Sequence, residues 1–338
     1  MSTTTQIEWT DASLNPWMGC TPVSAGCAHC YAMTATPVRV LGVKFGRGQE
    51  RRPVVTFEEE ALKLNRKAWQ QGRTFRVFPS LCDWLDDEVP VEMLAAFLDV
   101  VRCTPSLSWQ LLTKRPQNFG SRIAAILERR GSLELESWLY SWIGEQGGRV
   151  MRAVAPVPPA NVWVGASVED QDTFDERIPE LLKIPGRVRF LSGEPLLGSL
   201  EFSDVTHRAD AVQQLGKRAL HGIDWFIAGG ESGSKARPCD VLWIREIVAQ
   251  CAVAGIPCFV KQLGAKPFQS PQHDNATGYE LPIKHPKGGE PSEWPTDLRV
   301  RQFPVMRPGR AAIADTRPGA VREGIRPTGK SLKKRGGL

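Results

Sequence analysis

The feature that most constrains the fold is a recurrence of short apolar runs, each closing on polar residues and separated by longer amphipathic segments. Such runs occur at residues 14–18, 75–78, 109–113, 162–165, 188–192, 225–228 and 258–261. Between them, residues 31–41, 57–70, 91–101, 175–182 and 241–254 carry helical apolar spacing, and 57–70 opens on the acidic Glu58-Glu59-Glu60 that favours a helix N-terminus. A longer stretch, 116–152, reads as partly helical. Alternating strand and helix signals predict an α/β fold of consecutive parallel strands joined by right-handed crossovers. Seven strands fit a partial (β/α) TIM-like barrel of six or seven units, with an open doubly wound sheet as the competitor.

The chain has 338 residues, enough for one large α/β domain. Patterning fades after residue 263. Three parts are therefore expected: a barrel over 1–263, an irregular covering segment over 264–304, and a flexible tail over 305–338. The net charge of +6 is concentrated in the tail, where residues 306–338 carry nine Lys or Arg against Asp315 and Glu323, a net +7, so the preceding chain comes to −1. No apolar run reaches membrane-spanning length. The first residues lack the basic-then-apolar order of a secretory signal. Eight Cys scattered through a chain this long do not make a disulfide framework, so a reducing, cytoplasmic setting is expected.

In a β/α barrel the reactive groups come from the C-terminal ends of the strands. Read in order, those ends offer Ser80 and Asp83, then Thr113, Lys114 and Arg115, then Ser167 and Glu169. Ser192 and Glu194 follow, then Glu231 and Ser232, and finally Lys261 and Gln262. Polar residues at nearly every strand end predict a mouth lined for a polar ligand. Just after the first run lies Gly19-Cys20-Thr21-Pro22-Val23-Ser24-Ala25-Gly26-Cys27-Ala28-His29-Cys30-Tyr31, with three thiols in eleven positions of a turning loop. A structural zinc site closes with four protein ligands, and here it would have to recruit His29, Cys82 or Cys239. A [4Fe–4S] cluster on Cys20, Cys27 and Cys30 would leave one iron open to a substrate or cofactor. No Walker loop and no nucleophile-elbow motif is present.

The Cys loop resembles that of the radical S-adenosylmethionine (SAM) superfamily, although the usual first gap of three residues is six here. The longer gap, together with Glu8-Trp9-Thr10, Asn15-Pro16-Trp17 and Cys30-Tyr31-Ala32, is similar to a phage-associated, mostly uncharacterised family grouped with those enzymes. Leu112-Thr113-Lys114-Arg115-Pro116, Trp163-Val164-Gly165, Glu194-Pro195-Leu196-Leu197-Gly198, Gly229-Gly230-Glu231-Ser232-Gly233 and Asp297-Leu298-Arg299-Val300-Arg301 extend the likeness over roughly residues 6–304. The resemblance implies a partial barrel and a [4Fe–4S] cluster on Cys20, Cys27 and Cys30. It implies SAM as cofactor, held among Ser80, Asp83, Lys114, Arg115, Ser167, Glu169 and Ser192. A reductant such as flavodoxin would be needed. Glu231, Glu194 and Lys261 are expected on the substrate side. The phage likeness and the basic tail point to a nucleic-acid or nucleotide substrate, such as an amino-acid-modified thymidine in DNA that the enzyme isomerises. A photoproduct-lyase-like repair enzyme and a non-catalytic, metal-containing nucleic-acid-binding protein are the alternatives.

Overall fold

The computed structural model of the chain describes residues 5–129, 131–144, 155–202, 222–271 and 278–305. In chain order the strands are β1 (Ala12–Ser13), β2 (Trp17–Met18), β3 (Arg52–Pro53), β4 (Phe75–Phe78), β5 (Leu107–Thr113), β6 (Val162–Ser167) and β7 (Val188–Gly193). They continue as β8 (Trp225–Gly229), β9 (Cys239–Asp240), β10 (Cys258–Gln262), β11 (Pro267–Gln269) and β12 (Tyr279–Glu280). The helices are α1 (Thr36–Val40), α2 (Phe57–Gln70), α3 (Val91–Arg102), α4 (Phe119–Glu128), α5 (Leu133–Ile143), α6 (Gln171–Lys183) and α7 (Val241–Ala254).

One seven-stranded sheet, ordered β1-β4-β5-β6-β7-β8-β10, organises the fold, and every neighbouring pair in it is parallel. The order follows the chain without reversal. A doubly wound sheet reverses at a switch point, so that alternative is excluded and the topology fits a partial β/α barrel. One face packs against the helices. Its opposite face gathers Trp9, Phe78 of β4, Phe190 of β7, Trp225 of β8 and Phe259 of β10 into one buried cluster, which a curled sheet makes possible. Gly165 on β6 is required there, because a Cβ at that position would lie 2.4 Å from the Phe190 ring. At the β10 edge, residues 300–302 pair with the strand through Val260 N to Val300 O and Gln302 N to Cys258 O, which covers an otherwise open ladder.

The helices follow their sequence signals. In α2, Phe57, Ala61, Leu64 and Ala68 form the buried stripe, and Gly72 (φ 61°) turns the chain out of the helix. Helix α6 starts four residues earlier than its apolar spacing indicated. Asp170 caps it, accepting from Thr173 N while the Thr173 hydroxyl bonds back to Asp170 N.

Three expectations are corrected. The predicted first strand at 14–18 divides: Ala12–Ser13 joins the main sheet, whereas Trp17–Met18 turns away to pair with Arg52–Pro53. Pro16, which has no N–H, and Asn15, whose side chain accepts from Leu81 N, sit at the break. The helix expected over 31–41 is a 3₁₀ turn (Tyr31–Thr34) followed by the short α1. Residues 264–304 are not wholly irregular, since β11 pairs with β9 and β12. They belong to the same compact unit as the barrel, Met1–Pro304. From residue 306 the tail lies outside the described residues, as do 145–154, which include most of the end of the stretch read as partly helical. Among the described residues no helix is long and apolar enough to cross a membrane.

Candidate functional site

Strand periodicity builds the site. Side chains two residues apart share a face, so on five of the strands the last inward residue is followed by a polar one at the C-terminal end. Phe78 is followed by Ser80, Leu112 by Lys114, Gly165 by Ser167, Phe190 by Ser192, and Phe259 by Lys261. The aromatic cluster is the floor, and these polar residues line a cavity of about 170 Å³ above it. The Cys loop, which follows β1, forms one wall. Cys20, Cys27 and Cys30 all line the cavity, together with Ser80, Asp83, Lys114, Arg115, Ser167, Ser192, Glu194, Glu231 and Lys261.

Two ionic assemblies fix that wall. In the first, Asp83 accepts from the Thr113 hydroxyl (2.6 Å), Lys114 N (3.0 Å), Leu85 N (3.0 Å) and Arg115 Nη1 (2.8 Å). Arg115 also donates to Thr21 O in the Cys loop. Beside it, the fully buried Arg51–Asp86 pair (2.8 Å) joins the loop through Thr21, whose N–H reaches Asp86. The second assembly is on the other flank. Arg237 forks onto both oxygens of Glu231 and donates to Ala25 O, and His29 Nδ1 donates to Glu231 at 3.2 Å. Burial works to raise the Glu231 carboxyl, but the Arg237 and His29 hydrogen bonds outweigh it and bring the pKa to about 2.

Glu169 is placed differently from its strand-end neighbours. It is fully buried behind the Cys loop and outside the cavity lining, where Lys114, Arg177 (2.9 Å) and the Ser24 hydroxyl (3.1 Å) engage its oxygens. Asp83 and Arg115 border the cavity but have their polar groups committed to each other and to the loop. Glu194 and Lys261 are less encumbered. They form a 3.1 Å ion pair on the cavity wall, Ser192 Oγ lies 3.5 Å from Glu194 Oε2, and Gly229 leaves room for the carboxylate, since a Cβ there would lie 3.0 Å from Glu194 Oε1.

The thiols are not alike. Burial opposes ionisation at all three and pushes Cys20 and Cys30 up. At Cys27 the Lys114 ammonium and hydrogen bonds from the loop outweigh burial and lower it. Among the described residues no three His, Cys, Asp or Glu side chains converge closely enough to hold a single metal ion. The cysteines border a shared space instead of meeting at a point. Three thiols lining one cavity are soft donors of the kind that iron–sulfur groups take.

The sequence left Arg237, Arg177 and Arg51 unmarked, since nothing in their local pattern distinguishes them from surface cations. Trp9 had a signal, its place in Glu8-Trp9-Thr10. It is 1% exposed, lines the cavity, and its Nε1 has no partner among the described residues.

Residues 4–314 match a family described as a protein of unknown function (DUF5131), and the chain belongs to that family. No curated protein matches it, and no solved structure does.

Proposed function

We propose that this member of a family without assigned function is a radical SAM enzyme, with Cys20, Cys27 and Cys30 as ligands of a [4Fe–4S] cluster. The observation that carries the reading is the three-thiol loop after the first strand of a sequentially ordered parallel sheet, opening on the cavity where the polar strand ends meet. A cluster held by Cys20, Cys27 and Cys30 would supply one-electron reductive cleavage of the SAM sulfonium, the chemistry that could remove hydrogen from an unactivated carbon of the substrate.

The protein's own residues bind and orient. Lys114 and the hydroxyls of Ser80, Ser167 and Ser192 line the cavity and can meet the carboxylate, ammonium and ribose of SAM. Asp83, Arg115 and Glu169, already engaged, act by holding the Cys loop and Lys114 in position. Glu194 and Lys261 face the substrate, offering one acceptor and one donor of opposite charge. Glu231 braces the loop through Arg237 and His29. The aromatic floor excludes water from below.

The substrate proposed is a modified thymidine in phage DNA, isomerised in the cytoplasm of the host, with a flavodoxin-type reductant. Its base would have to leave the stack to enter the cavity. The test is anaerobic purification, iron and sulfide analysis, and SAM cleavage with dithionite, followed by mass spectrometry of nucleosides from phage DNA incubated with the enzyme. A preparation that is replete in iron, holds a cluster and never cleaves SAM would overturn the reading.

A further inference from the structure

We propose that the excursion between the Cys loop and α2, residues 39–52, is a surface that grips nucleic-acid phosphates beside the cavity. This rests on the reading that the substrate belongs to a nucleic acid, and it assigns the docking surface to the folded body and not to the tail.

Charge singles out the segment. The body before residue 306 nets −1, yet residues 39–52 hold Arg39, Lys44, Arg47, Arg51 and Arg52 against Glu50 alone. The five cations divide by burial. Arg51 is 2% exposed and turned inward, whereas Arg39, Lys44, Arg47 and Arg52 are exposed. Among the described residues none of these four forms an ion pair. Glu50 within the segment and Glu88, which accepts from Gly48 N (2.7 Å) and pairs with Arg51 (3.3 Å), are the carboxylates beside them, fewer than the four cations, and an anionic partner relieves the remaining repulsion.

Rigidity and place make the cluster usable. Arg51 bonds inward to Asp86 and Thr21 and back to the carbonyls of Gly46 and Gln49, so it pins the turn that carries Arg47. Arg52 Nη1 donates to Leu41 O (2.9 Å), tying β3 to the C-terminal end of α1. Gly46 N donates to Cys20 O (3.1 Å), which fastens the excursion to a residue of the cavity wall. The exposed cations are thus presented on a braced surface next to the cavity. Tyr31, 46% exposed and lining the cavity, adds an aromatic face on which a base could stack.

The test uses the full chain carrying R39Q, K44Q, R47Q and R52Q together. Binding of a short fluorescent DNA duplex is followed over a series of salt concentrations. Loss of four phosphate contacts should make the log–log salt slope shallower by about 3.6, at ~0.9 per contact. Because Arg52 also braces the excursion, a triple variant R39Q, K44Q and R47Q that keeps it should hold the wild-type thermal midpoint while making the slope shallower by about 2.7. The control K63Q/R66Q, on the exposed side of α2, should keep the wild-type slope. A quadruple variant with the wild-type slope would overturn the proposal, and so would a wild-type chain that binds anionic lipid vesicles but no DNA. The readout needs neither cluster nor SAM. A chain without iron that still shows the slope change keeps the surface and loses the enzyme reading, while one that cleaves SAM but ignores DNA does the reverse.

Discussion

Glu169 packs its carboxylate against Gly26 so closely that no methyl group fits between them: a Cβ at Gly26 would lie 2.6 Å from Glu169 Oε1. The contact joins the Cys loop to a side chain already engaged by Lys114 and Arg177. Gly26→Ala should therefore displace the loop, with an overpacking cost of about 1–3 kcal/mol. Thermal unfolding measures the loss, and iron content should fall with it. Adding Glu169→Asp, which withdraws the carboxylate by one methylene, should restore part of both. Unchanged stability in Gly26→Ala would show that the loop is free to yield.

The proposed cluster makes the eight cysteines unequal. Replacing Cys20, Cys27 or Cys30 by Ala should remove most of about four iron per chain in anaerobic protein. The same change at Cys82, Cys103, Cys239, Cys251 or Cys258 should leave iron content near wild type. Zinc at one equivalent in iron-replete preparations would contradict the assignment.

Glu194 and Lys261 stand apart from the braced ionic groups, and their variants should behave differently. Lys261→Ala should leave iron content and substrate-free SAM cleavage close to wild type. Its effect should fall on substrate affinity, where a lost ionic hydrogen bond of ~1.5–3 kcal/mol corresponds to roughly ten- to a hundredfold. Asp83→Ala should instead destabilise the fold, by about 1–3 kcal/mol, because Arg115 loses its 2.8 Å carboxylate while Asp86 and Asp87 remain 3.8 and 3.7 Å away. Calorimetry on both proteins separates the two patterns.

A pH effect is expected at the opposite end of the sheet. Asp11 accepts from Arg76 N (2.8 Å) and Nε (3.0 Å). Burial tends to raise its carboxyl, but the Arg76 hydrogen bonds prevail and hold it below the ordinary 3.8. A depressed folded-state value adds stability that is present above pH 3.8 and is lost as the pH falls through the folded-state value. For a partly exposed pair the contribution is about 1 kcal/mol or less. Asp11→Asn should lose that amount at neutral pH and show a flatter stability profile below pH 3.8. Parallel profiles for the two proteins would contradict it.

Much of the architecture was legible because strand and helix periods are local properties. The runs at 75–78, 188–192, 225–228 and 258–261 fall on β4, β7, β8 and β10 with ends within a residue or so. Sequential order was legible too, from the alternation itself. The first strand departs from its sequence pattern because apolar content continues from Leu14 through Met18 while the direction of the chain changes at Asn15-Pro16. In the site, period-two alternation located the polar strand ends but not their partners. His29 and Glu231 are 202 residues apart, and Arg237 is 212 from the carbonyl it binds at Ala25. No short-range pattern encodes such pairs. Glu231 is legible as a polar strand end and does line the cavity, whereas its partner Arg237 carries no signal in its own neighbourhood.

The tie from Arg237 to Ala25 has a mechanical consequence. An open sheet has two ends that backbone pairing leaves unjoined, so its bore is not fixed by strand count as in a closed barrel. Here the Cys loop acts as a tie-bar across the cavity, rooted after β1 and fastened through Glu231 and Arg237 to the segment after β8, one strand short of the β10 edge. The width of the mouth is then set by a few exchangeable ionic contacts. Those contacts can be cut without breaking a rung of the sheet, so the strand pairing and the mouth are held by separate sets of bonds.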